Sequence, residues 1–366
     1  MATYEIGITE INTQVRRLGY VSSILAILSD KTLSESLLYE RLERWSVEHE
    51  SELKSYVNPQ GQIKPTRMRT SAKRYTEFAI SLGLVGRIAG ACRITRFGRP
   101  LLPFISKASK ANYFELILAE RYLYLYWLFI KDSDRLMTVL NMLGETPTQN
   151  LSLLQKKFKD SYVKQLDNRL SQEESQIGRE ILALRNRVIH EWKNPERYAE
   201  SIVPPRINWL LDIGLVRIEG LRKSVNLTEE GQKLLDLVRE ASISGQSHVN
   251  QQWIQRNFFG CIGSILANQD GYLWCKLSQK EKTEYLNDVT ASAFSLLRSS
   301  PAPKISLYPA LIYMCLFLAV EKQIWANLYE LRDELSNLSS MPNPIYEVRF
   351  SHRENESYLI SHRTSS

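Results

Sequence analysis

One pattern occurs twice in this sequence, and this repeat limits the possible folds more than any other feature. The copies occupy residues 75–102 and 206–235, and both contain Gly-Leu-Val followed by Thr-x-x-Gly-x-x-Leu-Leu. Phe78 and Trp209 correspond at a spacing of 131 residues, and Thr95 and Thr228 at a spacing of 133. The two additional residues fall between the valine and the threonine, where a loop absorbs them. We therefore expect two similar units.

The first copy can be read as a helix, a stop and a hairpin. Its apolar residues recur at helical spacing over 72–82. Thr70 or Ser71 is a suitable helix cap, and Gly83 is a suitable left-handed helix end. A strand from Leu84, a turn around Gly90 and a return strand to Thr95 are predicted to follow.

This string resembles winged helix-turn-helix domains, and the resemblance implies a mainly α fold with small β-hairpin wings. It implies two tandem winged-helix units, with a third less clearly marked, joined by long helices. The expected domains are 1–105, the basic DNA-reading unit; 106–240, a second unit with a helical insertion at about 170–195; and 241–366, a helical domain that ends in a hairpin. The front helices are predicted at 14–28 and 33–42 in the first unit and at 136–143 and 151–166 in the second. A joining helix is expected over 113–130.

Positive charge is concentrated in the first unit. The whole chain has a formal charge of +7, whereas residues 64–99 alone contain nine basic residues and one acid, a net +8. The rest of the chain is therefore near neutral. A basic cluster at the reading end of a helix-turn-helix favours duplex DNA as the partner. The predicted DNA-binding residues are Lys64, Arg67, Arg69, Thr70, Lys73, Arg74, Arg87, Arg93, Arg96 and Arg99.

The second unit is electrically balanced, with six basic and six acidic residues over 206–240. A secondary DNA contact is predicted at Arg206, Arg217, Arg222 and Lys223. A protein-facing or scaffolding role fits this unit equally well, since winged helices also serve as adaptors.

One short segment, Arg185-Asn186-x-x-x-His190, resembles the active-site motif of HEPN ribonucleases. The resemblance implies that Arg185 and His190 act on an RNA phosphodiester, with the arginine stabilising charge and the histidine transferring a proton. Trp192 stands where one branch of the family has a tyrosine. The competing interpretation is a structural helix with Leu182, Ile189 and Trp192 packed inward.

Other chemistry is not indicated. The four cysteines form no CxxC pair, and no histidine spacing indicates a metal, so neither a metal site nor a cofactor is expected. No phosphate-binding Gly-rich loop is present. The start of the chain does not resemble a signal peptide, and a cytoplasmic location without membrane contact is expected.

The leading hypothesis is a non-catalytic protein that binds duplex DNA in a sequence- or structure-dependent way. It would act as the recognition subunit of a larger prokaryotic system, either a restriction or defence system or a mobile element. The tandem arrangement of winged helices resembles that of the recognition modules of restriction and defence systems. This resemblance implies a protein partner that carries the catalytic activity. Two alternatives remain open at this point: an adaptor of a DNA-organising complex, and a HEPN-like ribonuclease that uses Arg185 and His190.

Overall fold

A computed structural model of the chain describes residues 8, 13–57, 59–145, 149–171, 175–219, 224–243, 251–298, 301–351 and 357–362. It confirms the mainly helical fold with small antiparallel hairpins. Three segments repeat one arrangement, which we call units 1, 2 and 3.

Unit 1 covers residues 13–101. Its elements are α1 (Gly19–Leu28), β1 (Leu33–Ser34), α2 (Glu35–Glu48), α3 (Glu50–Val57), α4 (Thr70–Ser81), β2 (Val85–Ile88) and β3 (Ala91–Ile94). The strand order is β1-β3-β2, with β3 in the middle. The first helix begins at Gly19, five residues later than predicted from the apolar periodicity. A short linker helix, α5 (Leu102–Lys107), follows the unit.

Unit 2 begins within a long helix, α6 (Leu118–Glu145), which is kinked at Asp132. The helices predicted at 113–130 and 136–143 are therefore one helix with a kink. The unit continues with β4 (Gln149–Asn150), α7 (Leu151–Leu170), α8 (Ser175–Glu191), α9 (Pro195–Ile213), β5 (Val216–Glu219), β6 (Ser224–Leu227) and α10 (Glu229–Ile243). Its strand order, β4-β6-β5, matches that of unit 1. The expected helical insertion is α8, which occupies the place in the element order that α3 has in unit 1.

Unit 3 repeats the three-stranded sheet and its helices without the repeated sequence string, and it adds a two-stranded parallel sheet. Its elements are α11 (Gln251–Ala267), β7 (Tyr272–Leu273), α12 (Gln279–Leu297), β8 (Lys304–Ser306), α13 (Leu307–Lys322), β9 (Ile324–Trp325), α14 (Leu328–Ser339), β10 (Tyr346–Arg349) and β11 (Tyr358–Ser361). The third strand is again central, in the order β10-β11-β8. The hairpin predicted near the end of the chain is thus present as β10 and β11.

The repeated Thr-x-x-Gly sequence anchors each hairpin to the helix before it. The Thr95 hydroxyl donates to the carbonyl of Gly83 at 2.6 Å, and the Thr228 hydroxyl donates to the carbonyl of Gly214 at 2.8 Å. Both of these glycines have positive φ and end a helix, as predicted for Gly83. The repeat is therefore explained by local backbone geometry.

The glycine of the Thr-x-x-Gly sequence allows a close backbone approach. A Cβ added at Gly98 would lie 2.5 Å from the carbonyl oxygen of Leu84, and one at Gly231 would lie 2.0 Å from that of Leu215. No side chain fits at either distance, so glycine is required in both copies.

Units 1 and 2 pack directly against each other through equivalent residues. Phe78 of α4 stacks on Trp209 of α9, with the ring centroids 4.6 Å apart and the planes 14° apart. Beside this stack the Arg17 guanidinium donates to Asp212 at 2.6 Å and to Asn208 at 2.6 Å. Arg17 and Asp212 are both buried, so the contact is a fixed polar interface inside an apolar core.

Candidate nucleic-acid interface

The exposed face of α4 is a narrow polar stripe. Thr70, Lys73, Arg74 and Glu77 lie at positions i, i+3, i+4 and i+7, and all are exposed or partly exposed. The opposite face is buried in the core of unit 1, as the apolar periodicity predicted. The stripe has a net positive charge, and its side chains are of types that hydrogen-bond to base edges and phosphates.

The loop before α4 adds further positive charge. Lys64 and Arg67 are exposed, and Met68 between Arg67 and α4 is 78% exposed. Helix α2 holds this loop in place, since the buried Glu43 carboxylate accepts a hydrogen bond from the Thr66 amide at 3.2 Å. The loop therefore presents its cations from a fixed backbone.

Arg69 holds the junction between this loop and the helix. It adopts a left-handed conformation with φ of 47°, which a residue with a side chain rarely takes. Its guanidinium donates to the carbonyl of Ser36 at 2.6 Å and lies 3.6 Å from Glu40 and 3.8 Å from Glu43. Arg69 therefore occupies the cap position of α4. The expectation that Thr70 or Ser71 caps this helix is wrong. Since carboxylates of α2 surround the side chain, we regard Arg69 as a positioning residue.

The hairpin of β2 and β3 carries two arginines, of which Arg93 is exposed to solvent and Arg87 pairs with a carboxylate. Its tight turn places Ala89 and Gly90 at positive φ, and the turn contacts the start of α2, where the Glu35 amide donates to the carbonyl of Gly90 at 3.0 Å. Arg87 pairs with the Glu35 carboxylate at 2.6 Å. Arg93 lies opposite Gly86 on the outer face of the hairpin and is exposed.

The basic residues expected to bind DNA thus fall into separate groups. Among the described residues, the side chains of Arg67, Arg74, Arg93 and Arg99 have no hydrogen bond or ion pair. Lys73 has only a long surface pair with Glu77 at 3.9 Å, which solvent screens. Arg96 is exposed and lies over the Phe97 ring at 5.0 Å. Arg69 and Arg87 are instead bound to carboxylates of α2.

The secondary contact predicted in unit 2 is wrong for Arg206. This side chain is 1% exposed and pairs with Asp132 at 2.7 Å at the kink of α6. Burial lowers the pKa of Arg206 and raises the pKa of Asp132, although each charge stabilises the other. Arg206 therefore fixes the kink and cannot reach a phosphate.

The structure does not contradict the other three positions of that predicted contact. Arg217 is exposed and pairs with Glu219 at 3.2 Å, a surface pair that solvent weakens. Arg222 and Lys223 lie outside the described residues. The secondary contact in unit 2 thus remains a prediction for these three positions.

The segment that resembles the HEPN motif lies on α8. Arg185 donates to both oxygens of Asp167 on α7, so its charge already has a partner. His190 is exposed, and Trp192 packs inward as the structural interpretation expected. Leu182 is 45% exposed, and Ile181, Leu184 and Val188 form the buried face instead. The inward packing expected of Leu182 was therefore wrong.

No group of three or more residues suited to holding a metal occurs among the described residues. Likewise, no helix within the described ranges is long and apolar enough to cross a bilayer.

Comparison with known proteins gives few relationships. No family model and no curated protein matches the chain. It is similar to a solved structure of restriction endonuclease FokI, with 12% identity and a TM-score of 0.29 over 83% of this chain and 48% of that chain. A structure of FokI bound to DNA is similar at 16% identity and a TM-score of 0.27, over 83% of this chain and 46% of that chain. This chain spans about half the length of the endonuclease chains, and at these TM-scores the likeness supports no functional conclusion.

Proposed function

We propose that this protein binds duplex DNA through unit 1 and serves as the recognition subunit of a restriction or defence system. The proposal depends on one observation above all. The loop before α4 and the outer face of the β2–β3 hairpin carry the exposed cations Arg67 and Arg93, and the start of α4 carries the partly exposed Arg74. Within the described part of the chain, these side chains have no carboxylate partner.

Each surface has a distinct task in this proposal. The stripe of α4 enters the major groove, where Arg74 and Thr70 meet base edges and Lys73 holds the backbone. Arg67 and Arg93 contact phosphates on either side. Arg69 and Arg87 contact no DNA but keep the loop and the hairpin against α2. The groove-facing geometry is thereby set before DNA binds, which lowers the entropic cost of binding.

Catalysis belongs to a protein partner or another domain in this proposal. Arg185 is already bound to Asp167 on the neighbouring helix, so its charge is poorly placed to stabilise the transition state of phosphodiester cleavage. No observation in the chain favours the ribonuclease over the DNA-binding function.

Equilibrium binding of a fluorescent duplex, followed by anisotropy, tests the proposal. The Arg67→Gln/Arg74→Gln variant is compared with Lys156→Gln/Lys157→Gln, a matched change of two exposed cations on α7. Release of counterions makes the Arg67 phosphate contact worth about fivefold in affinity at 0.15 M salt. The Arg74 base contact is worth about 1 kcal/mol or more, a further fivefold, so the first variant should lose about 30-fold or more. The α7 variant should bind like the wild type. Equal affinity for the two variants, or tighter binding of single strands or RNA than of duplex, would count against the proposal. An adaptor would show little DNA affinity and salt-insensitive protein binding.

A further inference from the structure

Units 1 and 3 meet at a positively charged groove that the DNA-reading surface of unit 1 does not include. The groove has a volume of about 160 Å³ and is partly open to solvent. Unit 1 contributes two arginines that follow β3, and unit 3 contributes the strand β8, the start of α13 and the strand β11. The lining residues are Arg96, Arg99, Leu297, Lys304, Ile305, Ser306, Pro309 and Tyr358.

The charge of this groove is unbalanced. Arg96, Arg99 and Lys304 are cationic, and none of the eight lining residues is acidic. Among the described residues, Arg99 and Lys304 have no carboxylate partner. The Lys304 ammonium instead lies over the Tyr358 ring at 4.9 Å. Cations that face one groove repel each other, so this arrangement is stabilised when an anion lies between them.

Polar groups suited to an oxyanion accompany the cations. Ser306 precedes α13, and its side chain caps no backbone amide, so the hydroxyl is available for a ligand. The start of this 16-residue helix adds a partial positive charge at the same place. Tyr358 contributes an aromatic ring to the wall. The Arg99 guanidinium, the Lys304 ammonium and the Ser306 hydroxyl together provide hydrogen-bond donors for phosphate oxygens.

The position of the groove indicates where the phosphate comes from. Arg93, Arg96 and Arg99 follow one another at intervals of three residues, from the outer face of the hairpin to the wall of the groove. These arginines lie along the chain between the hairpin of unit 1 and the groove, where Lys304 of unit 3 adds a further cation. The backbone of a duplex bound to unit 1 is therefore the nearest source of phosphate in this proposal.

We propose that the groove binds a phosphate group of the DNA backbone, and that Lys304 and Ser306 extend the nucleic-acid interface from unit 1 to unit 3. This inference rests on the proposed function for the source of the phosphate. Its chemistry also suits a phosphate that is not part of DNA, so the test separates the two sources.

Lys304→Gln provides the test, with Lys280→Gln as the matched control. Lys280 is also an exposed lysine of unit 3, but it lies near the start of α12, about 25 Å along the helix from Leu297 of the groove. One lost phosphate contact should weaken duplex binding about fivefold at 0.15 M salt for Lys304→Gln. Lys280→Gln should bind like the wild type, and both variants should keep the wild-type melting temperature. Equal affinities for the two variants, with wild-type binding intact, would overturn the backbone-phosphate proposal.

A second measurement keeps this inference separate from the proposed function. Melting temperatures are recorded with millimolar pyrophosphate and no DNA. If the wild type binds no duplex, the proposed function fails. In that case, a rise in melting temperature with pyrophosphate that Lys304→Gln abolishes would assign the groove to a free phosphate compound. No rise in the wild type, together with no duplex binding, would overturn the phosphate site itself.

Discussion

Replacing Arg17 tests whether the polar contact between units 1 and 2 holds them together. Its guanidinium reaches Asp212 at 2.6 Å, Asn208 at 2.6 Å and the carbonyl of Gln60 at 3.2 Å. Methionine has a similar length and apolar stem, so Arg17→Met removes the charge while it retains much of the packing. The change leaves the Asp212 carboxylate buried without its cation, which costs about 3–5 kcal/mol in the free energy of unfolding.

The cost should depend on pH in a defined direction. Burial raises the pKa of Asp212 to about 6, even though Arg17 lowers it. Without Arg17 this pKa rises further, so the folded variant binds a proton that the unfolded chain has already released. Stability of the variant should therefore be largely retained near pH 5 and lost as the pH rises towards 8.

Urea denaturation at pH 5 and pH 8 measures both effects. Arg17→Met/Asp212→Asn should recover stability at pH 8 relative to Arg17→Met, because asparagine keeps an oxygen for the Leu18 amide and carries no charge. Arg44→Met, which breaks an exposed pair with Glu40, should cost at most about 0.5 kcal/mol. A loss below about 1 kcal/mol for Arg17→Met, or the same loss at both pH values, would refute the reasoning.

Three further predictions concern stability and positioning. Gly231→Ala should lower the unfolding free energy by about 2 kcal/mol or more, because its Cβ would lie 2.0 Å from the Leu215 carbonyl oxygen; thermal denaturation checks this. As the pH rises from 4 to 6, the unfolding free energy of the wild type should fall by up to about 3 kcal/mol relative to that of Asp212→Asn, because the raised pKa of Asp212 makes its ionisation costly in the folded state. Urea titrations that give the same pH profile for both proteins would contradict this. Arg69→Gln should lower both the melting temperature and DNA affinity, whereas Arg67→Gln should lower affinity and change stability by less than about 0.5 kcal/mol.

Local features of this fold could be predicted from the sequence. The helix end at Gly83, the turn at Gly90 and the repeated threonine contacts depend on residues within about fifteen positions of each other. Backbone conformation and short hydrogen bonds decide such features, and the residue types report them directly.

Features that depend on distant residues could not be predicted. The partners Arg17 and Asp212 are 195 residues apart, and neither stands out from the other charged residues of the sequence. Arg206 was wrongly expected at the surface for the same reason, since its partner Asp132 is 74 residues away. Counting charge over 64–99 located the basic surface but did not show that α2 supplies carboxylates to Arg69 and Arg87.

The groove between units 1 and 3 shows the same limit. Lys304 is an ordinary isolated lysine in the sequence, far from the basic segment. Only the packing of β8 beside the residues that follow β3 brings it together with Arg99.

The salt dependence of duplex binding tests the central claim most directly. The logarithm of the binding constant should fall linearly with the logarithm of salt concentration, and each phosphate contact adds about 0.9 to the slope. Arg67→Gln/Lys73→Gln/Arg93→Gln should therefore reduce the wild-type slope by up to about 2.7. A wild-type slope near zero, or a slope unchanged in this triple variant, would contradict DNA binding through unit 1.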